Sequence, residues 1–189
     1  MIKAIIFDCF GVVLIDAFDA AYQGFGGDIV ADQEFIIQTL YASNSGRIPS
    51  SSEVFANRLC VPVEMWRKAI NEGSAIQQDV LDYVLLLRKD YKTAMLSNIA
   101  KGGLGRMFEP GVLDTYFDAV VASGDIGFAK PEARAYETVA DMLDVRLDEC
   151  VFIDDREIYV EGANAVGMKG VIFTSLKQLK QDLSGILAA

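Results

Sequence analysis

Five short, almost continuously apolar runs constrain this chain more than any other feature: Ile2 to Phe7, Thr93 to Leu96, Ala119 to Ala122, Val151 to Ile153 and Gly170 to Phe173. None alternates in the way that would leave a strand one wet face, so each predicts a strand buried on both sides. Between them, Val80, Tyr83, Val84 and Leu87 follow the i, i+3, i+4, i+7 spacing of a helix, and Tyr136, Ala140 and Leu143 continue it in a later connection. Strand, helix, strand repetition implies right-handed crossovers and an α/β fold built on a parallel, doubly wound sheet. Pro131 is expected as a first helical residue and Gly167 as a helix terminator.

One stretch breaks the alternation. Residues 16–77 hold no convincing strand, only helical candidates around Asp32 to Ala42, Ser52 to Leu59 and Val63 to Asn71, with turn-like Ser43-Asn44-Ser45-Gly46 and Ser50-Ser51-Ser52 between them. The expected organisation is a sheet core from residues 1–15 and 78–189, with a small helical insertion at 16–77. Gly24, Gly26 and Gly27 read as a loop, because neither a phosphate-loop nor a dinucleotide glycine pattern surrounds them. Trp66 is expected to pack a small helical bundle.

Charge and composition remove whole classes of function. The 189 residues include 17 Lys and Arg against 27 Asp and Glu, a formal charge of −10, and no histidine. Without His there is no Ser-His-Asp or Cys-His nucleophile system and no imidazole zinc site. The acidic balance argues against nucleic acid as a partner. Three scattered cysteines, Cys9, Cys60 and Cys150, suggest reduced thiols and a cytoplasmic protein. Asp8 interrupts the first apolar run, so no signal peptide is expected, and no run approaches the roughly 18 residues of a membrane span.

Functional groups of a parallel sheet gather at the carboxyl ends of its strands. Those ends carry Asp8, then Ser97 and Asn98, then Lys130 shortly after the third strand, then Asp154 and Asp155. Three carboxylates converging on one edge would raise one another's pKa unless a cation sat among them. With no His or Cys cluster available, the matching cation is a hard, oxygen-seeking Mg²⁺. Asp8 could then attack phosphorus in line and form an aspartyl phosphate. Cys9 is expected to point away from Asp8, into packing.

The segments IIFDCFGVV, LSN ending at Asn98, AKPEARAYE around Lys130 and VFIDDREIYVEGANAVGM together resemble the four successive motifs of the haloacid dehalogenase superfamily, in order and over nearly the whole chain. The resemblance implies a Rossmann-like core and a helical cap inserted after the first motif, which fits residues 16–77. It implies Asp8 as nucleophile and Ser97 and Lys130 as phosphate-binding, charge-stabilising groups, with Asn98 as a further phosphate contact. Asp155 would be a direct Mg²⁺ ligand, Asp154 a second ligand or a nearby acid, and the backbone carbonyl of Phe10 a metal contact. The substrate would be a small phosphorylated metabolite of the sugar phosphate class.

Position 10 departs from the pattern. Phosphatases of the superfamily usually place a second Asp there, as the acid that protonates the leaving group and then activates water. A group of that kind is worth about 10²–10⁴ in rate. Phe10 permits three readings: a phosphatase whose substrate has a good leaving group, or in which a cap carboxylate such as Asp16, Asp19 or Glu34 substitutes; a metal-independent 2-haloacid dehalogenase; and a non-catalytic relative that binds a phosphorylated ligand or a protein. The pair Asp154-Asp155 sets the dehalogenase second, because it would repel halide and carboxylate. Tyr159, on the turn behind the metal site, narrows the cleft or packs.

Overall fold

The apolar runs become five parallel strands, β1 (Ala4–Phe7), β2 (Lys92–Ser97), β3 (Ala119–Ala122), β4 (Cys150–Asp154) and β5 (Lys169–Ile172). In the computed structural model, which describes residues 1–188, they lie in the order β3-β2-β1-β4-β5. Phe7 pairs with Met95 of β2 and Ile153 of β4, so Asp8 leaves the sheet level with Asp154. Register alone therefore sets two of the expected acidic groups side by side.

The connections are helical. Between β1 and β2 run α1 (Phe18–Gly24), α2 (Gln33–Asn44), α3 (Ser52–Arg58), α4 (Val63–Gly73) and α5 (Gln78–Leu87). The short α6 (Leu104–Met107) and α7 (Val112–Tyr116) lead to β3, and α8 (Ser123–Ile126) and α9 (Ala133–Met142) to β4. Then α10 (Glu157–Ala165) precedes β5, and α11 (Leu176–Leu187) follows it. Strand alternation splits the apolar residues between two cores: Ile5, Phe7, Met95, Val151 and Ile153 face α5 and α11, while Ile6, Leu96 and Phe152 face α9 and α10. Both faces are covered, as the unbroken apolar runs require.

The helices α1 to α4 carry a third, separate cluster built on Tyr22, Phe55 and Trp66. Trp66 is 2% exposed, with its ring 5.6 Å from those of Phe18 and Phe55, so it packs. Gly27 is required there, because a Cβ would overlap the Tyr22 ring. The segments entering and leaving this unit pair with each other through an antiparallel bridge of Leu14 with Ile76, flanked by Ile15 N to Ala75 O at 2.9 Å and Gln77 N to Val13 O at 2.8 Å.

Gly167, at φ +95°, ends α10 as its position implies. Pro131 does not begin a helix: α9 starts at Ala133, and Pro131 lies in the preceding turn after a cis peptide bond to Lys130. Gly24 is the last residue of α1, a helix whose short length leaves too few apolar repeats to read from sequence. Among the described residues no helix is long and apolar enough to cross a membrane.

Candidate active site

Asp8 and Asp154 leave adjacent strands at the same level, on the face that Phe152 and Ile6 line below them. Two like charges in that position need a counter-ion. Lys130 supplies it: its ammonium lies 2.7 Å from Asp8 Oδ1 and 2.6 Å from Asp154 Oδ2, and rests 5.2 Å from the centre of the Phe152 ring and 5.0 Å from that of Tyr159. Lys130 is 2% exposed and Asp154 fully buried. Burial works against the Lys130 charge, but Asp8 and Asp154 overcome it and hold its pKa above the ordinary lysine range. Asp8 is pushed up to about 7, by burial first and by Asp154, with Lys130 opposing.

A clamp joins Lys130 to the end of β2. Asn98 Oδ1 accepts from the Lys130 backbone N–H at 2.8 Å, and Asn98 Nδ2 donates to the Lys130 carbonyl at 2.9 Å. Its amide is thus engaged on the Lys130 backbone, where the sequence suggested a phosphate contact. Next to it, the Ser97 hydroxyl is buried and has no hydrogen-bond partner, a state that costs about 1–3 kcal/mol unless a ligand relieves it. The turn after β1 is equally constrained: Gly11 has φ +80°, and a Cβ there would overlap the Asp155 carboxylate. A glycine three residues beyond a strand-end Asp was the available signal for that close approach.

Asp155 has its outer side in solvent, yet its carboxyl is crowded against Gly11 and is pushed up to about 6 by desolvation and by the Asp154 charge. One carboxylate oxygen from each of Asp8, Asp154 and Asp155 lies within 4.8 Å of the others. An all-oxygen, anionic donor set fits a hard divalent cation and not a soft one. Both Asp154 oxygens already have partners, since Oδ1 accepts from Arg156 N at 2.9 Å. That leaves Asp8 and Asp155 with uncommitted oxygens. The backbone bonds of the 8–14 turn go to the Cys9 and Leu14 carbonyls, and not to that of Phe10.

The other candidates separate by position. Asp16 accepts from Phe18 N at 2.9 Å and lies in the field of both Asp155 and Arg156, with its carboxyl raised chiefly by desolvation. Glu34 is bound to Gln38 on α2, at 3.0 Å. Cys9 is buried in the core, where burial and the Asp8 charge hold its thiol far above the usual range. Tyr159 lies between two cations, Lys130 and Arg156, whose guanidinium is 5.4 Å from its ring centre.

Fold and site together define an α/β enzyme whose polar groups collect at the carboxyl ends of parallel strands. The family model for haloacid dehalogenase-like hydrolases matches residues 2–167, and the chain belongs to that family. It is 33% identical over 104 residues to Phosphatase MT3486 of Mycobacterium tuberculosis, an alignment covering 52% of this chain and 48% of that one. The chain thus spans about half the length of this curated relative. A haloacid dehalogenase family enzyme of Bacteroides thetaiotaomicron, solved as an Asp-to-Ala mutant with magnesium and inorganic phosphate, has the same fold with a TM-score of 0.73 at 20% identity, over 95% of this chain and 99% of that one. The L-2-haloacid dehalogenase of Xanthobacter autotrophicus, with chloropropionic acid covalently bound, shares it at a TM-score of 0.68 and 23% identity, over 98% and 83%.

Proposed function

We propose that this hydrolase is a Mg²⁺-dependent phosphatase of small phosphorylated metabolites, of the sugar phosphate class, working in the cytoplasm through an aspartyl phosphate at Asp8. The observation that supports it most is the cluster of Asp8, Asp154 and Asp155 around a buried ammonium, with oxygens within 4.8 Å of one another. Asp8 and Asp155, with the Phe10 carbonyl, are the groups that would hold Mg²⁺, and Asp154 serves mainly to hold Lys130. Bound there, the cation supplies Lewis acidity and offsets carboxylate charge.

A carboxylate oxygen of Asp8 attacks phosphorus; the new O–P bond forms as the bond to the leaving oxygen breaks, and that oxygen takes its proton from solvent water. Water then attacks the acyl phosphate, releasing inorganic phosphate and restoring Asp8. Lys130 and the unpartnered Ser97 hydroxyl stabilise the charge on the phosphoryl oxygens. Asn98 keeps Lys130 in place through its backbone. Phe10 supplies no proton, so the reading favours substrates with good leaving groups, such as sugar 1-phosphates. Of the cap carboxylates Asp16, Asp19 and Glu34, Asp16 lies in the field of Asp155 and Arg156, while Glu34 is engaged with Gln38.

The test is phosphate release from a panel of phosphomonoesters with and without Mg²⁺, set against Asp8→Asn. Mg²⁺-dependent release lost in Asp8→Asn is expected; none across the panel would leave a binding protein. The dehalogenase reading draws on the aromatic residue at position 10 and is tested by chloride release from 2-chloropropionate without metal.

A further inference from the structure

The carboxyl end of α2 does not stop in solvent. Tyr41 donates its hydroxyl to Glu132 Oε1 at 3.3 Å, and the same oxygen accepts from Ala129 N at 3.0 Å. Arg47 steadies Tyr41, with its guanidinium 4.6 Å from the ring centre and its Nη2 donating to the same hydroxyl at 3.3 Å. One turn further on, the Asn44 carbonyl accepts from Ser123 Oγ at 2.7 Å, and that fully buried hydroxyl accepts in turn from Ile99 N at 3.0 Å. Ala129 precedes Lys130, and Ile99 follows Asn98. The two contacts of α2 therefore end on the two turns that the Asn98 amide already ties together.

We propose that Tyr41, Glu132 and Ser123 are positioning residues: they latch α2 to the Asn98 and Lys130 turns, so that seating the helical unit fixes the groups that grip the phosphoryl group. Only its catalytic consequence rests on the phosphatase reading. The unit is then held at two places, by its paired linkers above β1 and by the latch above β2 and β3. Neither contact lies on the side above β4, where Asp155, Arg156 and Ile158 are exposed.

Amide hydrogen exchange and steady-state kinetics on the full chain test this, with p-nitrophenyl phosphate as substrate. Tyr41→Phe removes one hydroxyl from the helical unit and leaves every core residue intact. It should raise exchange at the Ala129 and Lys130 amides about fivefold, the worth of one ordinary hydrogen bond. It should also lower kcat by a similar factor with KM changed less than about twofold. Glu132→Ala removes the acceptor of Ala129 N as well as that of Tyr41, so its effect at Ala129 should exceed that of Tyr41→Phe, and Glu132→Gln, whose amide oxygen still accepts, should recover most of the loss. Unchanged exchange at Ala129 and Lys130 in Tyr41→Phe, with only the end of α2 loosened, would overturn the latch, as would equal loss in Glu132→Gln and Glu132→Ala. A wild-type protein with no phosphatase activity would remove the proposed function, while the exchange arm would still decide the latch.

Discussion

Lys130→Met removes the buried cation and keeps most of the side-chain volume. In the native protein the ammonium sits 2.7 and 2.6 Å from two carboxylates that are 5% exposed and fully buried. Breaking a buried pair leaves an uncompensated charge, a loss of about 3–5 kcal/mol. At roughly 2–4 °C per kcal/mol for a chain of this size, the melting temperature should fall by about 6–20 °C in EDTA. The loss should depend on pH with a definite sign. Asp8 is already raised to about 7 in the folded state, against 3.8 for the free group, and Lys130 is what opposes a further rise. A carboxyl raised on folding contributes stability that is present below its unfolded pKa and disappears as pH climbs through the folded value. The variant should thus lie closest to wild type near pH 5, where Asp8 is protonated, and fall furthest behind near pH 8. Added Mg²⁺ should narrow the gap at pH 8. Thermal unfolding by circular dichroism across that range measures all of it; a drop below about 3 °C, or one equal at pH 5 and pH 8, would refute the reasoning.

Phe10→Asp should raise turnover on alkyl phosphates by about 10²-fold or more, and by much less on aryl phosphates whose leaving groups need no proton; equal gains on both would exclude Phe10 as the site of the missing acid. Gly11→Ala must adopt φ +80° and overlap the Asp155 carboxylate, so calorimetric titration should show Mg²⁺ affinity falling at least about tenfold, with a stability loss of about 1–2 kcal/mol. At the outer strand β5, Asn164 Oδ1 accepts from Gly170 N at 2.8 Å and Gln178 Nε2 donates to the Ile172 carbonyl at 2.9 Å, occupying groups an edge strand would otherwise offer to another chain. Asn164→Ala combined with Gln178→Ala should increase light scattering at high concentration without changing specific activity at low concentration.

The sheet was legible because burial on both faces leaves no room for polar residues, so its strands announce themselves, and the residue closing each run marks a strand end. Asp8, Ser97, Asp154 and Asp155 could be placed on that ground alone. Which acid Lys130 would pair with could not, since the answer depends on β1 and β4 being neighbours in register. Asn98 shows the same limit: its side chain looks fit for a ligand, and only the fold reveals that both ends of its amide meet the Lys130 backbone. Tyr41, Glu132 and Ser123 are unremarkable in sequence, because their contacts span separations of up to 91 residues. Pro131 obeyed a turn that its tertiary surroundings impose in place of the helix start its type favours.

Position 10 is where charge and proton supply meet. Asp8, Asp154 and Asp155 against Lys130 leave the site two negative charges from balance, which a single divalent cation would make up. A fourth carboxylate at position 10 would add a proton donor and also one more charge to desolvate, in a turn where Gly11 already lies against Asp155 and where burial raises Asp8 and Asp155. Phe10 instead packs, half-buried, against the core that faces α5 and α11, and its backbone carbonyl stays available whatever the side chain. On the proposed phosphatase reading, Phe10 withholds an acid and leaves Asp8, Lys130 and Ser97 where they stand, so phosphate compounds whose leaving oxygen departs without help would be the better substrates.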